Sequence, residues 1–130
     1  MSKKTFIEII GQSDSFHSLS GVSEEEIRQA ENTLGLVFAD DYREYLLTYG
    51  IASIRGHEFT GLGSSSRLSV VDNTVQEREQ HPDLPGTLYV VEQCNIDGLV
   101  ILQDENGDVF SATPGTVPER IGGSLCEYLE

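Results

Sequence analysis

A chain of 130 residues with 38% apolar content is long enough to bury one core and too apolar for wholesale disorder, so a single domain over residues 1–130 is expected. Eight Lys and Arg against 22 Asp and Glu give a formal charge of −14, a field that repels nucleic acid and anionic membranes and draws basic partners. No apolar run approaches the ~20 residues of a membrane span, and Glu8 interrupts the stretch after Lys3, Lys4, Phe6 and Ile7, so no signal-peptide core follows and a cytoplasmic protein is expected.

Phe6, Ile7, Ile9 and Ile10 suggest a short N-terminal helix, followed by a loop through 12–21. The next helix is the best specified. Ser23 and Glu26 form a capping-box pair, in which the hydroxyl accepts a backbone N–H and the carboxylate reaches back. Glu24, Glu25 and Glu26 also suit the positive end of the helix dipole. Ile27, Ala30, Glu31 and Leu34 then share one face, and Gly35 supplies a left-handed stop. Glu31 is the odd member of that stripe. An unpaired carboxylate there is costly, so Glu31 is expected to be buried and to accept backbone N–H groups near Phe38–Asp41. No partner acid, base or metal ligand stands near it in sequence to make it catalytic.

Asp40 or Ala39 opens the following helix, where Tyr42, Tyr45, Leu46 and Tyr49 recur at helical spacing until Gly50 ends it. A tyrosine stripe is either a binding platform or core with its hydroxyls at the rim, and the core reading is the expectation. Gly35 and Gly50 should both have positive φ, since each follows a helix and leads into a loop. A strand through Glu58–Thr60 leads into a Gly-Ser loop over 61–66. Asp72 or Asn73 is the expected cap of a third helix ending near His81 and Pro82, and Pro82 and Pro85 then mark a turn.

Leu88–Glu92 and Leu99–Leu102 read as strands of a buried sheet. Asp104-Glu105-Asn106-Gly107 turns the chain into a strand over 108–112, and its Asn-Gly pair fits a type I′ turn. A last helix around 124–129 would place Leu125 and Leu129 one turn apart. Cys94 and Cys126 read as reduced thiols in or near the core. His17, His57 and His81 are scattered without zinc-ligand spacing, so no metal or other cofactor is expected. The run from Asp104 to Asp108 superficially matches a calcium loop, but its glycine falls at the fourth position and Gly115 stands where the bidentate glutamate belongs. No Walker loop, nucleophile elbow or His-Glu-x-x-His motif is present, and no catalytic residue is expected.

In order and spacing these pieces resemble the SUKH superfamily, which takes its name in part from a yeast cell-wall-synthesis regulator and is abundant among bacterial immunity proteins. The resemblance begins at Gly21–Ile27, continues through Glu31–Leu36 and Asp41–Leu46, and reaches Tyr49-Gly50. It resumes at Ser69–Thr74 with Arg78, at Asp83-Leu84-Pro85 before Leu88–Val91, and in the hairpin Leu102–Val109. It spans about residues 20–130, with Ser23, Glu26, Glu31, Gly35, Tyr42 and Gly50 as its structural markers. Ala39 stands where the family usually has proline, Ile51 where a second glycine often follows, and the chain has no tryptophan.

The resemblance implies an α+β fold with helices packed on one side of a largely antiparallel sheet. It also implies a non-enzymatic role. Bacterial members commonly neutralise the toxin domain of a contact-dependent or polymorphic toxin inside the producing cell, and eukaryotic relatives act as interaction modules in regulation. The family has no shared catalytic residues to carry over.

An immunity protein against a basic toxin domain is thus the first functional expectation. A regulatory module with a native cellular partner is the alternative, and a small acidic-site enzyme the remote one. From Glu79 to Glu119 there is no Lys or Arg, whereas Glu79, Asp83, Glu92, Asp97, Asp104, Glu105, Asp108 and Glu119 are acidic. Solubility alone would account for such a block. Asp97, Asp104, Glu105 and Asp108, at or beside turns between strands, are the expected partner-binding residues. The competing expectation is a solvated surface there and binding elsewhere, for instance on the loop after Gly50.

Overall fold

The structure, a computed structural model, describes residues 17–18, 21–54, 57–63, 68–94, 98–113 and 116–129. The helix expected around Phe6–Ile10, residues 64–66 of the Gly-Ser loop and Asp97 lie outside the described residues. The elements in chain order are β1 (His17–Ser18), α1 (Glu24–Leu34), α2 (Asp40–Tyr49), β2 (Ala52–Ile54), β3 (His57–Glu58) and α3 (Val70–Gln80). They continue with β4 (Tyr89–Gln93), β5 (Val100–Gln103), β6 (Val109–Ala112), β7 (Glu119–Gly122) and α4 (Leu125–Leu129). Among the described residues the strands form a sheet β1-β2-β3 and a sheet β4-β5-β6-β7, antiparallel throughout. A bridge between Phe59 and Glu92 ties one sheet to the other. This is the expected α+β architecture.

The start of α1 follows the local code: Glu26 N–H donates to Ser23 Oγ at 3.2 Å, and three glutamates fill the first turn. Its buried residues are Ile27, Ala30, Glu31 and Leu34, the stripe read from spacing. Gly35 closes it at φ 68°, its N–H turned back onto the Glu31 and Asn32 carbonyls. Gly50 ends α2 differently. At φ 70° and ψ −65° it is the centre of a γ-turn, closed by Ile51 N–H donating to the Tyr49 carbonyl at 2.7 Å.

Two local expectations need correction. The cap of α3 is Ser69, whose hydroxyl accepts the Asp72 N–H at 3.2 Å, and not Asp72 or Asn73. Those two fall inside the first turns instead, with Asn73 Nδ2 donating to the Ser69 carbonyl at 2.8 Å. The β5–β6 turn is not type I′ around Asn106-Gly107. Gly107 N–H donates to the Asp104 carbonyl at 3.0 Å, which makes Glu105 and Asn106 central and leaves Gly107, at φ 96°, as the left-handed residue that follows. The cause is Asp104. Its carboxylate accepts the N–H groups of Asn106 at 3.0 Å and Asp108 at 3.1 Å, so the turn must begin there.

The four-stranded sheet buries apolar residues on both of its faces. Tyr89 and Val91 of β4, Ile101 of β5 and Val109 of β6 join Ile27, Leu34, Phe38, Tyr42, Tyr45, Leu46 and Leu125 in the core beneath the helices. On the opposite face Leu88, Val90, Val100, Leu102 and Ala112 form a smaller cluster, with Leu84 and Phe110 packed on it. Beyond β4 the sheet edge is closed by hydroxyls: Val90 N–H donates to Thr74 Oγ1 at 3.0 Å, and its carbonyl accepts Thr60 Oγ1–H at 2.7 Å. Strand β7 is largely exposed along Glu119-Arg120-Ile121, a pattern without the apolar alternation that would announce a strand.

Candidate functional site

Tyr42 and Tyr45 of the α2 stripe are core with their hydroxyls inside and not at the rim, whereas Tyr49 is half-buried. Tyr42 Oη donates to the Thr60 carbonyl at 3.1 Å and lies 2.9 Å from Thr60 Oγ1. Tyr45 Oη donates to the same carbonyl at 3.1 Å and accepts Ala52 N–H at 2.9 Å. Tyr89 Oη accepts Ala39 N–H at 2.9 Å and donates to Gln103 Oε1 at 2.6 Å. Gln103 Nε2 then donates to Asp41 Oδ1 at 2.9 Å and to the Gly107 carbonyl at 3.1 Å, while Asp41 Oδ2 accepts Leu125 N–H at 3.0 Å. One buried chain of bonds thus joins the start of α2, the β5–β6 turn and the start of α4. Burial raises the Tyr42 and Tyr89 phenols well above their usual range, so they stay protonated donors. A proline at position 39 would lack the N–H that Tyr89 receives.

Glu31 is buried and accepts Phe38 N–H at 2.8 Å, as its place on the stripe requires. Its second partner is Arg43, whose Nη2 lies 2.9 Å from both carboxylate oxygens. Sequence spacing gave no sign of this ion pair, because it depends on the angle between α1 and α2.

A second buried carboxylate, Glu92, joins three segments. His57 Nδ1 lies 2.9 Å from its Oε2, and Tyr128 Oη donates to its Oε1 at 2.5 Å. Burial, then the Glu92 carboxylate, raises the Tyr128 phenol beyond its ordinary range. The same two causes push the nearby Cys94 thiol up to about 11. The cluster holds protons and anchors α4 to β4. Its members are 35 or more residues from Glu92 along the chain, which hides them from pattern reading.

Cys94 and Cys126 are free thiols, both half-buried. Among the described residues no group of three or more His, Cys, Asp or Glu could hold a metal ion, and no helix is long and apolar enough to cross a membrane.

The acidic block from Glu79 to Glu119 divides into tied and free charges. Asp104 is spent on the turn backbone, and Asp108 pairs with Arg120, whose Nε and Nη2 approach it at 3.1 and 3.0 Å. Glu105, between them, is exposed. Asp104, Glu105 and Asp108 therefore share one turn, while Asp97 lies outside the described residues. Glu92 is buried, and Glu79, Asp83 and Glu119 are exposed.

At the other end of the β5–β6 hairpin lies a cleft of about 310 Å³. Val100 and Ala112 line it from the sheet, Pro82, Leu84 and Pro85 from the segment after α3, and Val117 and Pro118 from the segment before β7. Glu77, Gln80, His81, Asp83 and Thr116 supply its polar side chains. The cleft was not legible in the sequence. Its one signal is the set of prolines that hold two segments, more than 30 residues apart, as walls on a sheet face.

Residues 4–130 match a SUKH family model described as SMI1-KNR4 cell-wall. The match takes in the whole stretch that carries the motif resemblance and extends further toward the N-terminus. The comparison with curated proteins found no match.

Proposed function

The chain belongs to the SMI1-KNR4 cell-wall family, and from that premise we propose that it is a protein-binding module that works without catalysis, neutralising a basic toxin domain in the cytoplasm. The observation that carries this reading is the distribution of exposed acids. Glu79, Asp83, Glu105 and Glu119 all face solvent, and no Lys or Arg lies between the first and the last of them. Arg120, the next cation along the chain, turns onto Asp108. A cationic protein surface is drawn toward such a field and oriented by it before contact. At the hairpin turn, Asp104 and Asp108 hold the loop that presents Glu105, and that turn is one part of the partner-binding surface.

Five protonated side chains fit a role without chemistry. The phenols of Tyr42, Tyr45, Tyr89 and Tyr128 and the thiol of Cys94 are all raised, so each is a poorer nucleophile or base at neutral pH than it would be in water.

The test is to inspect the genes beside this one for a toxin domain and to co-express that domain with the full chain. Restored growth and a co-purifying complex that weakens with salt are the expected results. A neighbouring toxin that the chain neither binds nor silences would remove the neutralising role and leave a regulatory module with a native cellular partner.

A further inference from the structure

The cleft at the end of the β5–β6 hairpin is mostly apolar, yet one wall carries a buried carboxylate that is weakly held. Glu77 is 5% exposed. Among the described residues, its oxygens meet His81 Nε2 at 3.4 Å and Gln93 Nε2 at 3.5 Å. The other two buried glutamates are held far more closely. Glu31 takes Phe38 N–H at 2.8 Å and Arg43 at 2.9 Å, and Glu92 takes Tyr128 at 2.5 Å and His57 at 2.9 Å. Charge-assisted bonds to a carboxylate normally close to about 2.7–2.9 Å, so Glu77 keeps most of its demand for a cationic donor. Arg78, beside it on α3, directs its Nη2 to the Gly86 carbonyl at 2.9 Å instead. No Lys or Arg follows until Arg120.

We infer that this cleft receives an arginine or lysine side chain of the partner protein. The cationic head sits at Glu77, with Asp83 at the rim, and the alkyl stem lies along Leu84, Val100 and Val117. The inference rests on the protein-binding reading and adds to it the place and the residue class that is bound. Three features favour this occupant. A long side chain with an apolar stem and a charged tip matches a cleft with apolar walls and an acid. The volume of about 310 Å³ lies at the small end of ligand clefts and suits one side chain better than a cofactor. Val117, 86% exposed on the wall, is an apolar surface that a docked chain would cover.

The experiment is an NMR titration of the full ¹⁵N-labelled chain with N-acetyl-arginine methylamide, and with the citrulline analogue, which keeps the shape and loses the charge. The arginine probe should give saturable shifts at the amides of Glu77, His81, Leu84, Val100 and Ala112. The citrulline probe, and the arginine probe on Glu77→Gln, should each bind about tenfold more weakly, the size of one charge-assisted bond. The exposed change Asp83→Asn should weaken the arginine probe about threefold, and it carries the test if Glu77→Gln perturbs the fold. Glu105→Gln, at the far end of the hairpin, should leave the affinity unchanged. Absence of saturable shifts at the cleft, equal binding of the citrulline probe, or an equal loss with Glu105→Gln would overturn the inference. No protein partner enters this measurement. Its failure removes the cleft alone, and failure of the toxin co-expression removes the neutralising role alone.

Discussion

The four-stranded sheet buries apolar residues on both faces, but the polar groups beside them are treated in opposite ways. Beneath the helices, the hydroxyls of Tyr42, Tyr45 and Tyr89, the amide of Gln103 and the carboxylates of Asp41 and Glu31 are bonded at 2.6–3.1 Å. On the other face the cleft leaves Glu77 with contacts of 3.4 and 3.5 Å, and Val117 stands in solvent. A fully satisfied network rigidifies its surroundings, whereas a loosely held carboxylate retains binding capacity. The network beneath the helices therefore holds the fold in one arrangement, and on the proposed reading the loosely held acid of the cleft is what a partner would engage.

The largest effect separating the two sides is expected at alkaline pH. Burial raises the Tyr42, Tyr45, Tyr89 and Tyr128 phenols, and it raises the Cys94 thiol to about 11. The unfolded chain releases these protons from about pH 9 for the thiol and pH 10 for the phenols, while the folded chain keeps them. Their contribution to stability is therefore complete below pH 9 and is lost as the pH rises through 11 and beyond. Thermal melts should give a level Tm from pH 7 to 9 and a steep fall above it. A level Tm up to pH 11 would contradict the buried phenol network.

Single substitutions should divide the same way. Tyr42→Ala removes a ring packed 5.2 Å from Phe38 and 5.0 Å from Tyr89, centroid to centroid, and should cost about 3–5 kcal/mol in urea unfolding. Glu31→Ala strands Phe38 N–H and Arg43 and should cost about 1–3 kcal/mol. Val117→Ser, on the wall of the cleft, should change stability by less than about 0.5 kcal/mol. Should Val117→Ser destabilise as much as Glu31→Ala, the exposed wall of the cleft would be part of the structural core and the contrast would fail.

What was legible in the sequence followed the range of the forces involved. The ends of α1 and its buried stripe rest on contacts three and four residues apart, so Ser23, Glu26, Ile27, Leu34 and Gly35 announce them. The Glu31–Phe38 bond was also within reach, because a carboxylate on an apolar stripe must find donors and the next helix starts close by. Arg43 was not, since its approach to Glu31 depends on how two helices cross. The turn was misplaced because an Asx bond from Asp104 outweighs the preference of Asn-Gly for central positions. Strand β7 carries no apolar alternation, and it exists because β6 offers it a free edge. Of the acidic block, composition gave the sign of the surface but not which charges are tied, a division set by Arg120 and by the turn backbone.

On the proposed reading, a basic protein partner is drawn to the exposed acids of this block. The reading is tested most directly by the association rate of the full chain with a basic toxin domain, sought among those encoded near its gene, measured at several salt concentrations. The comparison is between wild type and the combined variant Glu79→Gln, Asp83→Asn, Glu119→Gln, whose changes are all at exposed positions. The wild-type rate should fall as salt rises, and the folded variant should associate about tenfold more slowly at low salt with a flatter salt dependence. A variant with an unchanged Tm that associates at the wild-type rate, with the same salt dependence, would contradict it.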